Sequence, residues 1–199
     1  MTVTDVNVVK SAIFERPDDA NKGTLGSLLC VCGSYGMAGA AVMSAKGALR
    51  AGIGLAKCAL PRSIYPIVAQ TILESVYYPL SENADGRISK VNVPFLVSES
   101  CKSSATLVGC GLGVCDDTLK IVFSFIENST TPLVLDADAL NCVAKQPEIL
   151  LRKKAPIIIT PHPGEMSRLT GLATPLVNAE RERVALDFAQ KYGVVTVLA

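Results

Sequence analysis

Past its first twenty residues, which are polar and irregular and read as a lead-in, the chain alternates short apolar runs with longer mixed segments. The apolar runs predict strands over residues 28–32, 54–60, 74–78, 105–109, 132–136, 156–160 and 194–198. The intervening segments predict helices over 38–51, 63–70, 116–128, 139–144, 164–170 and 176–192. Most of the runs are apolar at nearly every position, as strands are when helices cover both faces of a sheet. Strand and helix in regular alternation is the rhythm of βαβ units around a parallel sheet, joined by right-handed crossovers. The segment 38–51 is built mainly from Ala, Gly and Ser, and its small side chains allow close approach to a sheet or a ligand. The segment 116–128 carries Asp116 and Asp117 in its first turn and Ile121, Val122, Phe125 and Ile126 on one stripe, the pattern of an amphipathic covering helix. The last run, 194–199, ends inside an apolar stretch, which predicts that further structure is missing.

Composition narrows the class. With 199 residues, 49% hydrophobic and 19% charged, the chain suits one domain or part of a larger one. A net charge of +1 gives no electrostatic case for nucleic acid or an acidic membrane surface. Residues 1–9 have no basic segment ahead of an apolar one, so a secretory signal is not expected. Residues 23–45 contain no charge and are long enough to cross a bilayer, but their glycines and serines read as strand, glycine loop and buried helix. The 7 cysteines include no Cys-x-x-Cys pair, and there is 1 histidine, so no metal site is expected. Buried, reduced thiols of a cytoplasmic protein are the expectation.

Four motifs follow predicted strands, where ligands of open α/β sheets bind. The first is Cys32-Gly33-Ser34-Tyr35-Gly36-Met37-Ala38-Gly39-Ala40, a glycine loop leading into a helix. It either turns backbone N–H groups toward a phosphate or simply packs tightly. No Gly-Lys-Ser/Thr follows, so it is not a Walker A loop. The second, Gly109-Cys110-Gly111-Leu112-Gly113, lacks the third glycine of a Rossmann fingerprint. The third is Asp136-Ala137-Asp138, where Asp138 is expected to cap the next helix and Asp136 is open between ligand and structural roles. The fourth, Thr160-Pro161-His162-Pro163-Gly164-Glu165, holds the sole histidine. Proline after Thr160 and after His162 favours extended backbone at both, and Pro163 suits a first helical position. His162 is therefore expected at a helix N-cap and in contact with a ligand, with Glu165 in the first turn as dipole partner or site residue.

In order and spacing from about residue 20 onward, these motifs resemble the ADP- or ATP-dependent NAD(P)H-hydrate dehydratases of the ribokinase-like superfamily. Lys22-Gly23-Thr24-Leu25-Gly26 and Ala48-Leu49-Arg50-Ala51-Gly52-Ile53-Gly54-Leu55 add to the match. The resemblance implies a ribokinase-like three-layer α/β/α sandwich with a mainly parallel central sheet, C-terminally incomplete. It sets residues 1–20 as a lead-in and 21–199 as the dehydratase domain.

The implied reaction restores hydrated NADH or NADPH (NADHX, NADPHX). ADP or ATP, with Mg²⁺, phosphorylates the added ring hydroxyl, and phosphate leaves. By motif, Ala40, Gly111 and His162 line the hydrate pocket, with Asp136 and Glu165 as neighbours. The family's base aspartate and its later glycine-rich segment have no counterpart here, which implies weak or no turnover, an unassigned catalytic residue and an uncovered apolar sheet edge. Homo-oligomers are common in the family. Two other readings stay open: a non-catalytic remnant that binds dinucleotide or a partner subunit, and a ribokinase-like kinase of a vitamin precursor.

Overall fold

The computed structural model describes residues 23–198. The lead-in over residues 1–20, with Lys22 and Ala199, lies outside the described residues. Seven strands form one sheet: β1 (Ser27–Val31), β2 (Leu55–Pro61), β3 (Val76–Leu80), β4 (Ala105–Val108), β5 (Leu133–Leu135), β6 (Ile157–Ile159) and β7 (Val195–Thr196). Their order is β3-β2-β1-β4-β5-β6-β7, and every neighbouring pair is parallel. The chain winds outward from β1 to β3 on one side and from β4 to β7 on the other. The order therefore reverses between β1 and β4.

Period-two alternation sends successive residues to opposite faces. Leu29 and Val31 of β1 join Val108, Leu133, Leu135, Ile157 and Ile159 in one core. Cys30 and Cys32 join Cys58 and Leu60 in the other. The first core is covered by α3 (Val93–Cys101), α4 (Asp116–Asn128), α5 (Asp138–Val143), α6 (Pro163–Thr170), α7 (Thr174–Ala179) and α8 (Arg181–Tyr192). The second is covered by α1 (Ala38–Arg50) and α2 (Tyr65–Thr71), whose Ala41, Ala45 and Val68 are buried. The result is helix, sheet, helix. Ala41 and Ala45 show what small residues do here, since they let α1 lie close on β1 and β2. In α4 all four expected apolar residues are buried, each contributing roughly 1.5–3 kcal/mol.

Three elements differ from the sequence reading. The helix expected over 176–192 is two helices, α7 and α8, because Glu180 leaves helical geometry at φ −128° and ψ 37°. Helix α3 was not among the expected elements; its Pro94 sits in the first turn, where no backbone donor is needed. Strand β7 is two residues long, shorter than its apolar run. Residues 23–45 form a turn, β1, a glycine loop and the start of α1, and no helix among the described residues is long and apolar enough to cross a membrane.

At the far end of the sheet, among the described residues, β7 pairs only with β6, and Val195 and Val197 are 57% and 51% exposed. On the α1 side of the sheet, Val134 of β5 and Ile158 of β6 are only half-buried.

Candidate active site

The loops after β1 and β4 leave the sheet at its reversal point, where α/β sheets open a crevice for ligands. They are tied together. Gly33 N–H donates to the Cys110 carbonyl at 2.8 Å, and Ser34 Oγ donates to the Gly111 carbonyl at 2.8 Å. Gly111 has φ +65°, and a Cβ there would lie 2.7 Å from the Ala40 Cβ. Only glycine lets this loop settle on the first turn of α1. That turn has no acidic residue, and no side chain caps it, which leaves its N–H groups the donors that anions find at helix N-termini.

The next two strand ends extend the same rim. Asp136 follows β5. Its Oδ1 accepts from Thr160 Oγ1 at 2.8 Å, and its Oδ2 accepts from the Cys110 thiol at 3.3 Å. One carboxylate thus joins the ends of β4, β5 and β6. Beneath it, Gly109 at φ +126° packs its α-carbon against the Asp136 carbonyl. Ala137 is the one described non-glycine residue with positive φ, at 51°, a strain of order 1–3 kcal/mol. Its neighbours hold it in place: Asp136 through the bonds above, and Asp138 by accepting from Gly113 N–H at 2.8 Å.

Two residues beyond Thr160, His162 caps α6. Its Nδ1 accepts from Gly164 N–H at 3.0 Å, and Glu165 Oε2 accepts from His162 N–H at 3.0 Å, a reciprocal capping box. With Nδ1 accepting, the proton of the neutral ring sits on Nε2, which lies 3.4 Å from Glu165 Oε1. Glu165 is buried, whereas the imidazole is 57% exposed. The buried carboxylate therefore orients a histidine that faces solvent.

A sequence model described as NAD(P)H-hydrate dehydratase matches residues 28–199. The chain belongs to the NAD(P)H-hydrate dehydratase family. It is similar to the bifunctional NAD(P)H-hydrate repair enzyme Nnr of Thermofilum pendens, 37% identical over 92% of this chain and 35% of that enzyme. It is also similar to the ADP-dependent (S)-NAD(P)H-hydrate dehydratase of Neisseria meningitidis, 31% identical over 92% of this chain and 58% of that one. Among solved structures, the ADP/ATP-dependent NAD(P)H-hydrate dehydratase of Bacillus subtilis, crystallised with ATP and Mg²⁺, superposes with TM-score 0.78 at 27% identity, covering 97% of this chain and 64% of that one. A ribokinase-like superfamily protein of Enterococcus faecalis shares the fold, with TM-score 0.74 at 20% identity, covering 94% of this chain and 62% of that one. The chain thus spans about a third of the bifunctional relative and under two thirds of the others.

The expected site residues of this dehydratase-family chain fall into two groups. Ala40 and Gly111 touch across the reversal point, and Gly111 is buried under Ala40 and Met37. Asp136, His162 and Glu165 lie on the β5 and β6 side, linked to the first group through Cys110. Asp138 does not cap its own helix, as expected from sequence; it occupies the first turn of α5 and holds Gly113 instead. Thr160, Ser34 and Cys110 stood in the sequence motifs without a role, because their partners depend on strand order, which apolar runs alone do not give. Among the described residues, no group of three or more His, Cys, Asp or Glu could hold a metal ion.

Proposed function

We propose that the surface formed by Ala40, the Gly111 loop and His162 binds the hydrated nicotinamide ring of NADHX or NADPHX. The reaction it serves is then the nucleotide-dependent dehydration of that ring. The observation that carries this reading is the convergence of both glycine loops and the His162 corner on one rim, in a chain of this family. The uncapped first turn of α1 suits the dinucleotide's phosphates. His162 Nε2 offers the ring hydroxyl a polar partner, held in place by Glu165. Hydroxide is a poor leaving group. Phosphorylation of the ring hydroxyl makes phosphate the leaving group, and the ring nitrogen's lone pair expels it to restore the dihydropyridine. ADP or ATP is the donor, with Mg²⁺ carried on its phosphates, and charge stabilisation dominates such transfers.

The described carboxylates on the rim do not supply an obvious base. Asp136 and Asp138 are hydrogen-bonded at both oxygens, and Glu165 accepts at Oε2 from His162 N–H while its Oε1 faces His162 Nε2 at 3.4 Å. This favours a second reading, in which the described surface binds hydrate without turning it over. Recovery of NADH fluorescence from NADHX, with ADP or ATP and Mg²⁺, separates the two. Weak or no recovery is expected; rapid nucleotide-dependent recovery contradicts the claim that these carboxylates are structurally committed. Formation of phosphorylated product from a vitamin precursor would instead support the kinase reading. All 7 cysteines are free, which suits the reducing cytoplasm. Homo-oligomers, common in the family, are part of the same proposal.

A further inference from the structure

Two thiols meet at the reversal point, and the proposed dehydration uses neither. Cys32 directly follows β1, and Cys110 is the second residue of the loop after β4. Val31 sits opposite Val108 in parallel register, and the Gly33 N–H bond to the Cys110 carbonyl locks the two turns together. Cys32 belongs to the small core under α1, and the half-buried Cys110 packs against that same core. Continuing that register sets Cys32 beside Gly109, one residue short of Cys110, so the two cysteines stand on adjoining turns; a disulfide needs α-carbons about 4.4–6.8 Å apart. Cys32 is 1% exposed and Cys110 half-buried, so solvent reaches Cys110 first.

The environments of the two thiols differ. The neighbouring Cys32 leads the causes that hold the Cys110 thiol below its ordinary value, against burial and the adjacent Asp136 carboxylate, which push it up. Cys110, with burial, in turn holds Cys32 well above. Burial also pushes Cys30 and Cys58 up, and Cys142 up to about 11, so these three stay unreactive thiols.

We propose that Cys32 and Cys110 form a peroxide-sensitive pair that closes to a disulfide across the β1–β4 junction. The Cys110 thiolate attacks one oxygen of hydrogen peroxide; the O–O bond breaks, hydroxide leaves, and Cys110 becomes a sulfenic acid. The Cys32 sulfur then attacks the Cys110 sulfur; the S–S bond forms, the S–O bond breaks, and water leaves with the Cys32 proton. Overall, two thiols are oxidised and one peroxide is reduced to two waters. The bond takes the thiol donor from Asp136 and draws the Gly111 loop toward β1, away from its seat on Ala40. Its consequence is loss of hydrate binding, and that part rests on the proposed function; the bond itself does not.

The full chain, freed of reductant, is treated with hydrogen peroxide, digested without reduction and weighed by mass spectrometry. The expected product is a Cys32–Cys110 linked peptide, lighter by two hydrogens than its two parts and split again by dithiothreitol. In Cys32→Ser, which has no resolving thiol, Cys110 should stop at a sulfenic acid that dimedone captures. Oxidation at Cys101 or Cys115 with the Cys32–Cys110 pair left reduced overturns the proposal. So does a dimedone-labelled Cys110 beside a free Cys32 in the unaltered chain. Calorimetric titration of NADPHX into both forms then tests the consequence. Reduced protein that binds and linked protein that does not is the expected pair. Equal binding by both overturns the switch, while no binding by the reduced form overturns the functional reading, with the linked peptide still judged by its mass.

Discussion

A side chain at Gly109 would be driven into the Asp136 carbonyl oxygen, with its Cβ 2.7 Å from Ala139 Cβ and 2.8 Å from Ala139 N. Both obstacles are backbone or anchored to it, so neither can swing away. Gly109→Ala should cost about 3 kcal/mol or more, from overpacking and a disfavoured φ, read as a lower urea midpoint. The Glu165 carboxylate raises a different question. Glu165→Gln keeps an acceptor for the His162 N–H but loses the charged partner of Nε2, so hydrate affinity should fall while stability drops by about 1 kcal/mol or less. A large stability loss with unchanged affinity would mean that Glu165 is only a cap. His162 and Glu165 were legible in the sequence because proline, histidine and glutamate at this spacing encode a cap. Asp138 was misread by the same logic. A capping motif does not reveal a glycine loop arriving from another strand.

At the scale of elements, the sequence was legible wherever burial was two-sided or periodicity was clean. β1, β4, β5, β6 and α4 fall within a residue of expectation. It failed where no local cue was visible. The helix that Pro94 opens was not read at all, and nothing in residues 176–192 marks the bend at Glu180. Helix α3 also carries Glu99, which meets two lysines. Glu99 accepts from Lys102 at 2.9 Å and from Tyr78 at 3.1 Å, and lies 3.7 Å from Lys57 on β2. The Lys102 bond leads the causes that hold Glu99 below its ordinary value of 4.5. A carboxyl lowered on folding contributes stability that is full above the unfolded value and is lost as pH falls through the folded one. Thermal stability should therefore decline below about pH 4.5, and Glu99→Gln should flatten that decline while lowering stability at neutral pH. An unchanged acid slope in the variant would show that Glu99 does not anchor α3 to β2 and β3.

For the whole molecule, winding order matters more than any single element. It places four strand ends on one rim and, among the described residues, leaves β7 as the last strand, with Val195 in it and Val197 just past it exposed. An unpaired apolar edge invites association. Val195→Lys with Val197→Lys should lower light scattering on heating without lowering the melting temperature; unchanged scattering would show that the β7 edge is not the sticking surface. The order of strands was not readable from apolar runs, so the rim itself was not readable, although most of its residues were. The central claim is that this rim is the hydrate-binding face. Calorimetric titration of NADPHX into the unaltered chain, Ala40→Leu and His162→Ala tests it most directly. The account predicts saturable binding by the unaltered chain, weakened at least tenfold in each variant while both keep the parent's melting temperature to within a few degrees. Equal binding by all three, or none by the unaltered chain, would contradict it.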